Sequence, residues 1–333
     1  MLGGFLALLS AAAFAFETAT ARRGVLTATV TQALSITIPL GLPIFFLCAL
    51  SFGALGTIAG FSTMAIVYLA LAGVLHFVWG RYCNYRACKA MGANLVAPVQ
   101  QSNLLVTLAL AIWILGEHLT PLRVLGIMLV VLGPALTYEG KSRKTSDTIA
   151  GAPIEHDPHP AFNPNYAEGY LFALLSSTGY GISPILVRLA LENRDLAASL
   201  GGGLISYVAA TLAFALILFL PGQWKHVRSL DRDAAKWFAI SGVFVCFAQM
   251  LRYMALALAP VSVVTPIQRT SLLFRLYFSR ILNPQHEVFG GRMVLATILA
   301  LLGALALSVS TELVQSLVPL PDWLKTALNW HWP

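Results

Sequence analysis

Apolar runs of about 20 residues, the length that crosses the hydrocarbon core of a bilayer, recur along this chain from its first residues to beyond residue 300. Most are apolar on nearly all sides rather than along one stripe, so no face is reserved for water. A soluble domain carries about a quarter charged residues. Here 11% are charged and 58% are hydrophobic, which points to an all-α integral membrane protein. Cys48, Cys83, Cys88 and Cys246 fall in or at the ends of apolar runs, with neither disulfide-framework nor metal-ligand spacing, and read as packing residues.

A hydropathy walk predicts ten transmembrane helices, at 2–21, 26–52, 65–88, 93–115, 121–139, 168–190, 200–220, 236–258, 261–282 and 288–310. The first segment has the small residues of a signal peptide. No Lys or Arg precedes its apolar core, however, and a later segment repeats it, so it reads as a membrane helix. Residues 141–167 are polar and rich in Pro, Ala and Asp, a linker between regions 1–140 and 168–311. Within it Glu155, His156, Asp157 and His159 have no fixed ligand geometry and read as solvated loop, not metal site. Residues 312–333, with Trp323, Trp330 and Trp332, read as an interfacial tail.

The two regions repeat each other. A shift of 168 lays Tyr85–Leu108 on Tyr253–Leu276 without a gap, with eight of 24 positions identical, among them Tyr85 with Tyr253, Pro98 with Pro266 and Gln100 with Gln268. A shift of 166 lays ALLSAAAF from Ala7 on ALLSSTGY from Ala173. Each half then holds five spans, an odd number, so the halves sit in the membrane with opposite orientation. Inverted repeats around a shared site are the architecture of alternating access.

The polar residues inside the spans are paired in the same way. PVQQSN at 98–103 answers to PIQRTS at 266–271. Pro98 and Pro266 each free a backbone carbonyl, tolerable at membrane depth only where protein or a wet cavity satisfies it, and are expected to break their helices. Gln100, Gln101, Gln268 and Arg269 follow directly and are the central candidates for substrate contact. Arg81, Asn84 and Tyr85 share one helical face, as do Gln249, Arg252 and Tyr253 in the second half. His76, Trp79, Ser176, Ser177, Thr178 and Tyr180 are further candidates for a cavity wall, although helix packing explains the Ser and Thr equally well. Snorkelling to headgroups competes with an inward role for Arg81 and Arg86, and is the expectation for Arg275 and Arg280 near a span end. Glu17 is the one carboxylate within an apolar span: either a proton-coupling group or an interfacial partner of Arg22 or Arg23. Gly126, Gly133 and Gly303 read as points of close helix contact.

The run from Tyr85 to Leu136, with Ala90, Pro98, Gly116, Glu117, Thr120, Gly126 and Gly133 at the marked positions, resembles the repeat of the drug/metabolite transporter superfamily, EamA-like branch. The second copy, through Ala255, Pro266, Glu287 and Gly303, is looser, its Gly-Glu pair replaced by NPQHE. The resemblance implies ten helices as two inverted five-helix repeats around a central cavity, lined chiefly by spans one, three, four, six, eight and nine. It also implies secondary transport or facilitated export of small metabolites; no cofactor is expected.

The leading reading is a secondary transporter, an exporter, whose arginines favour anionic or zwitterionic solutes such as organic acids or amino acids. A flippase of a lipid-linked substrate and a non-transporting sensor or assembly subunit are the alternatives. An intramembrane enzyme finds neither a metal-ligand pair nor a Ser-His-Asp set. The expected partners are a small solute, the lipid bilayer and a coupling proton. Nucleic acid is not expected, because the excess of basic residues sits in short loops beside spans, where membrane topology explains it. Arg22, Arg23, Lys141, Arg143, Lys144, Lys225, Arg228, Arg232 and Lys236 put their connections in the cytoplasm of a bacterial inner membrane and both termini outside. The family resemblance implies the reverse orientation.

Overall fold

The computed structural model describes residues 2–115, 120–144, 162–191, 195–258, 261–308 and 321. Among them every regular element is a helix. In chain order these are α1 (Leu2–Val25), α2 (Val30–Thr37), α3 (Gly41–Ser51), α4 (Thr63–Gly73), α5 (Arg81–Met91), α6 (Ala93–Gln100), α7 (Asn103–Leu115), α8 (Pro121–Lys144), α9 (Tyr166–Leu191), α10 (Leu196–Leu218), α11 (Gln223–Arg228), α12 (Arg232–Leu258), α13 (Val261–Arg269), α14 (Ser271–Leu282) and α15 (Gly291–Ser308). A tight helical stretch, Ala54–Gly60, precedes α4, and a wider π-type stretch, Val74–Gly80, joins α4 to α5.

Among the described residues eight helical segments are long and apolar enough to cross a membrane: Leu2–Val25, Val30–Ser51, Thr63–Met91, Ala93–Ile114, Tyr166–Leu191, Ala197–Leu218, Arg232–Arg252 and Gly291–Ser308. The other two expected spans differ. In α8 the apolar part is shorter, Pro121–Leu136, and the helix runs on to Lys144, into the expected linker. Span nine is two short helices, α13 and α14, carrying Arg269, Arg275 and Arg280.

The outer surface is apolar: Phe5, Leu47, Trp113, Leu212, Leu216 and Phe219 are all well exposed, as lipid-facing side chains are. Inside, α1 lies along α12 and against α13 and α14, whereas α9 lies along α5 and against α6 and α7. The first helix of each half therefore packs into the other half, and the halves interlock. Small residues set the spacing where α8 meets α15. A Cβ on Gly303 would stand 2.7 Å from the Val130 nitrogen and 2.9 Å from the Gly126 oxygen, so the two backbones approach as glycines allow. A core of Val25, Leu34, Ile38, Phe45, Tyr207, Phe214 and Phe238 ties α1, α2 and α3 to α10 and α12.

The connections α1–α2, α5–α6 and α14–α15 meet at one end of the bundle, joined by hydrogen bonds from Lys89 Nζ to the Ala28 carbonyl and from Arg22 to the His286 carbonyl. α11 docks at that end too, where Gln32 Nε2 donates to the His226 carbonyl at 2.8 Å.

Candidate functional site

The two spans that carry Pro98 and Pro266 break in the same place. Proline has no N–H and crowds the carbonyl four residues earlier, so a helix running through it is weakened there. After Pro98 the chain closes a tight turn, Gln101 N to the Pro98 carbonyl at 3.2 Å and Ser102 N to the Val99 carbonyl at 3.0 Å, and resumes as α7. After Pro266, Thr270 N reaches the Ile267 carbonyl at 3.1 Å and its hydroxyl the same oxygen at 2.6 Å, and the chain resumes as α14. Each break places helix ends at membrane depth, an arrangement tolerated where it faces a cavity.

Such a cavity is present, about 560 Å³ in volume. It runs from Arg123 at the start of α8, Arg188 near the end of α9 and Ser308 at the end of α15 inward to Glu17, Gln100 and Arg275. His76, Asn84, Gln101, Tyr180, Gln249, Arg252, Gln268 and Arg269 line it as well. Among the described residues its charged wall is Arg81, Arg123, Arg188, Arg252, Arg269 and Arg275 against one carboxylate, Glu17. Such a wall attracts anions and repels cations.

Local bonds hold these groups in place. Glu17, 6% exposed, accepts from Tyr85 Oη at 2.8 Å and Ser241 Oγ at 3.2 Å on one oxygen and from Thr18 Oγ1 at 3.1 Å on the other. Arg81 donates to the Thr37 carbonyl at 3.2 Å and lies 5.1 Å from the Phe77 ring centroid. Gln268 Nε2 donates to Ser10 Oγ, which donates on to the Ala248 carbonyl. Arg275 Nη1 donates to Gln100 Oε1 at 3.2 Å. Gln101 Oε1 and Asn103 Oδ1 are buried without a protein partner.

The opposite end is packed shut. Arg22 and Glu287 form an ion pair at 3.3 Å with both side chains fully buried. Arg22 also donates to the carbonyls of Lys89 at 3.2 Å and His286 at 2.7 Å, and its guanidinium lies 4.8 Å from the Phe162 ring centroid. The Glu287 carboxylate accepts from the Ala93 and Asn94 amides at 2.7 and 2.9 Å, capping the start of α6. Burial pushes that carboxyl upward, while Arg22 and the two amides pull it down. Gly92, at φ 89°, makes the approach possible, since a Cβ there would stand 2.7 Å from Glu287 Oε2.

The cavity brings together Glu17, Asn84, Gln100, Gln101, Tyr180, Arg252, Gln268 and Arg269 of the residues expected from sequence. Two stand elsewhere. Tyr85, 1% exposed, is behind the wall and reaches the site through its bond to Glu17. Trp79, in the π-type stretch Val74–Gly80, is 45% exposed on the outer surface, its indole N–H bonded to the Leu175 carbonyl, and is absent from the cavity wall among the described residues. The side chain of Tyr253 lies outside the described residues, as do Gly116, Glu117, the Glu155–His159 stretch and Trp323, Trp330 and Trp332. Glu17 does not pair with Arg22, whose partner is Glu287. Arg275 corrects the snorkelling expectation: α14 continues seven residues beyond it and turns it inward. Arg280 is exposed, and Arg86 pairs with Glu168 at 2.7 Å, partly exposed. Arg123, Arg188 and the ion-paired Glu287 had no site signal in the sequence: the first two enter as cavity wall, and Glu287 through contacts with distant segments.

No curated protein matches this chain. One solved structure, described only as "Crystal structure of protein", is 18% identical, covers 95% of this chain and 97% of its own, and superposes with a TM-score of 0.49. The model of the EamA-like transporter family matches in two parts, residues 1–138 and 167–309, which coincide with the two repeats. That family consists of membrane transporters of small molecules within the drug/metabolite transporter superfamily. This chain belongs to the EamA-like transporter family.

Proposed function

We propose that this protein is a ten-span secondary transporter that exports small anionic or zwitterionic metabolites, organic acids or amino acids, by alternating access. The observation that carries the reading is the charge balance of the cavity, with six arginines around a single carboxylate among the described residues. Arg269 and Arg275 each keep a buried Nε without a hydrogen-bond partner among the described residues, and a solute carboxylate offsets the cost of such a guanidinium with paired hydrogen bonds. Glu17, held by three hydroxyl donors at the inner limit of the cavity, is the candidate for proton coupling.

The asymmetry of the two ends supports alternating access. One end holds the cavity and the other the buried Arg22–Glu287 pair, as expected of one of two exchanging states. The closed end adjoins the basic connections around Arg23 and Lys225, so the positive-inside rule puts it in the cytoplasm and leaves the cavity facing out.

The test is counterflow in vesicles reconstituted with the purified protein, using labelled organic acids, amino acids, amines and nucleosides. Exchange of carboxylate-bearing solutes, absent in Arg269→Ala, is the expected result. Exchange of amines alone, sensitive to Glu17→Gln and not to Arg269→Ala, overturns the anion preference, and no exchange of any class removes the transport reading.

A further inference from the structure

We propose that Arg275 and Gln100 form a deep carboxylate subsite at the inner end of the cavity, with Arg275 the binding group and Gln100 its positioning residue; this rests on the transport reading above. Arg275 sits in the first turns of α14, is only 9% exposed, and lines the cavity. Its one hydrogen bond among the described residues goes to Gln100 Oε1 at 3.2 Å, and its Nε is buried without a partner. None of the ion pairs among the described residues includes it.

A guanidinium carries five N–H donors and a full charge, and a neutral amide oxygen satisfies one donor and none of the charge. Arg22 shows how this same protein treats a buried guanidinium that has a purely structural role: it is given a carboxylate, two carbonyls and an aromatic face. Arg275 is given one amide, and the remainder of its donor set is left for a ligand that enters the cavity. The ligand chemistry that matches is a carboxylate, planar and able to accept two parallel N–H bonds.

Gln100 is fixed for the positioning task. It is 6% exposed and ends α6 just after Pro98. An amide holds the guanidinium without neutralising it. A carboxylate at the same position would take the place of the solute.

Thermal-shift titration of the purified protein with succinate, and with succinamide as its neutral isostere, tests this directly. Succinate is expected to stabilise the parent protein saturably and succinamide is not. Arg275→Gln is expected to weaken the apparent succinate affinity about 30-fold or more, the scale on which a buried charge pair loses one partner. Gln100→Glu is expected to raise the melting temperature without ligand and to abolish the succinate response, an outcome that a merely structural glutamine does not produce. It also carries the test alone should Arg275→Gln fail to fold. A parent protein that succinate does not stabilise, or either variant answering succinate as the parent does, overturns the subsite. Vesicle counterflow separates the two readings: carboxylate exchange that survives Arg275→Gln removes the subsite and keeps the transporter, whereas intact succinate binding without exchange of any solute does the opposite.

Discussion

Arg22 and Arg188 occupy the same position in the two halves, related by the 166-residue shift that aligns the first helix of each repeat. Arg22 is 1% exposed and locked to Glu287 at the packed end, whereas Arg188 is exposed and lines the cavity at the other. Residues at the same position in the two sequence repeats thus stand in opposite environments. The lesson is that a likeness of sequence between the halves does not extend to the surroundings of each copy. Under alternating access the two arginines would exchange environments as the ends exchange roles.

The sharpest way to break that comparison is to remove each arginine in turn. Arg22→Ala leaves Glu287 buried without its cation, and breaking a buried pair from one side costs about 3–5 kcal/mol. Arg188→Ala, at an exposed position, is expected to change stability by no more than about 0.5 kcal/mol. Denaturant or thermal unfolding in detergent measures both, and equal losses would show that the two ends are not distinct in the way described.

Glu17 comes next. Its counterpart under the same shift is Ser183, also buried, so the halves differ in chemistry here as well as in state. Glu17→Gln exchanges a carboxylate that accepts three hydroxyl bonds for a neutral amide; with hydrogen bonds to charged groups contributing about 1.5–3 kcal/mol each, a stability loss in that range is expected. Loss of proton-dependent exchange with solute binding retained would mark Glu17 as the coupling group. Unaltered pH dependence of exchange in that variant would assign it to structure alone.

Much of the architecture was legible because it rests on local physics. Hydropathy located α1, α9, α10, α12 and α15 to within a few residues, and Pro98 and Pro266 marked the helix breaks before any coordinate was known. The cavity was legible where polar residues lie deep within spans, as with Gln100, Gln268 and Arg269. Arg275 was not, because its place near a span end looks like snorkelling until the length of α14 is known. Glu287 was not either. It stands in a connection whose Gly-Glu signature has decayed, and the amides it caps lie nearly 200 residues earlier in the chain, at a distance no sequence period reports. Trp79 failed for a third reason: residue type alone singled it out, and a tryptophan suits a lipid-facing surface as well as a cavity wall.

Gly92 tests how far the closed end depends on backbone shape. Gly92→Ala forces a side chain onto a residue at φ 89° and sets a Cβ against the Glu287 carboxylate, so a loss of more than about 1 kcal/mol is expected. If the closed end can release, this variant should also react faster with a membrane-impermeant thiol reagent at Gln101→Cys, applied from the closed side in a background with the native cysteines replaced. Unchanged labelling would separate the glycine from the latch.

A second small expected effect is the most informative control. Arg86 and Glu168 pair at 2.7 Å near the same end, closer than Arg22 and Glu287, but with side chains 43% and 33% exposed. Distance alone would rank this pair as the stronger. Exposure reverses the ranking, because water screens the charges and both side chains remain partly solvated when the pair is broken. Arg86→Gln is therefore expected to cost at most about 1 kcal/mol and to leave closed-side labelling as it is in the parent. A cost matching that of Arg22→Ala would mean that proximity rather than burial holds this end shut, and the contrast between Arg22 and Arg188 would have to be re-read as one of contact rather than of state.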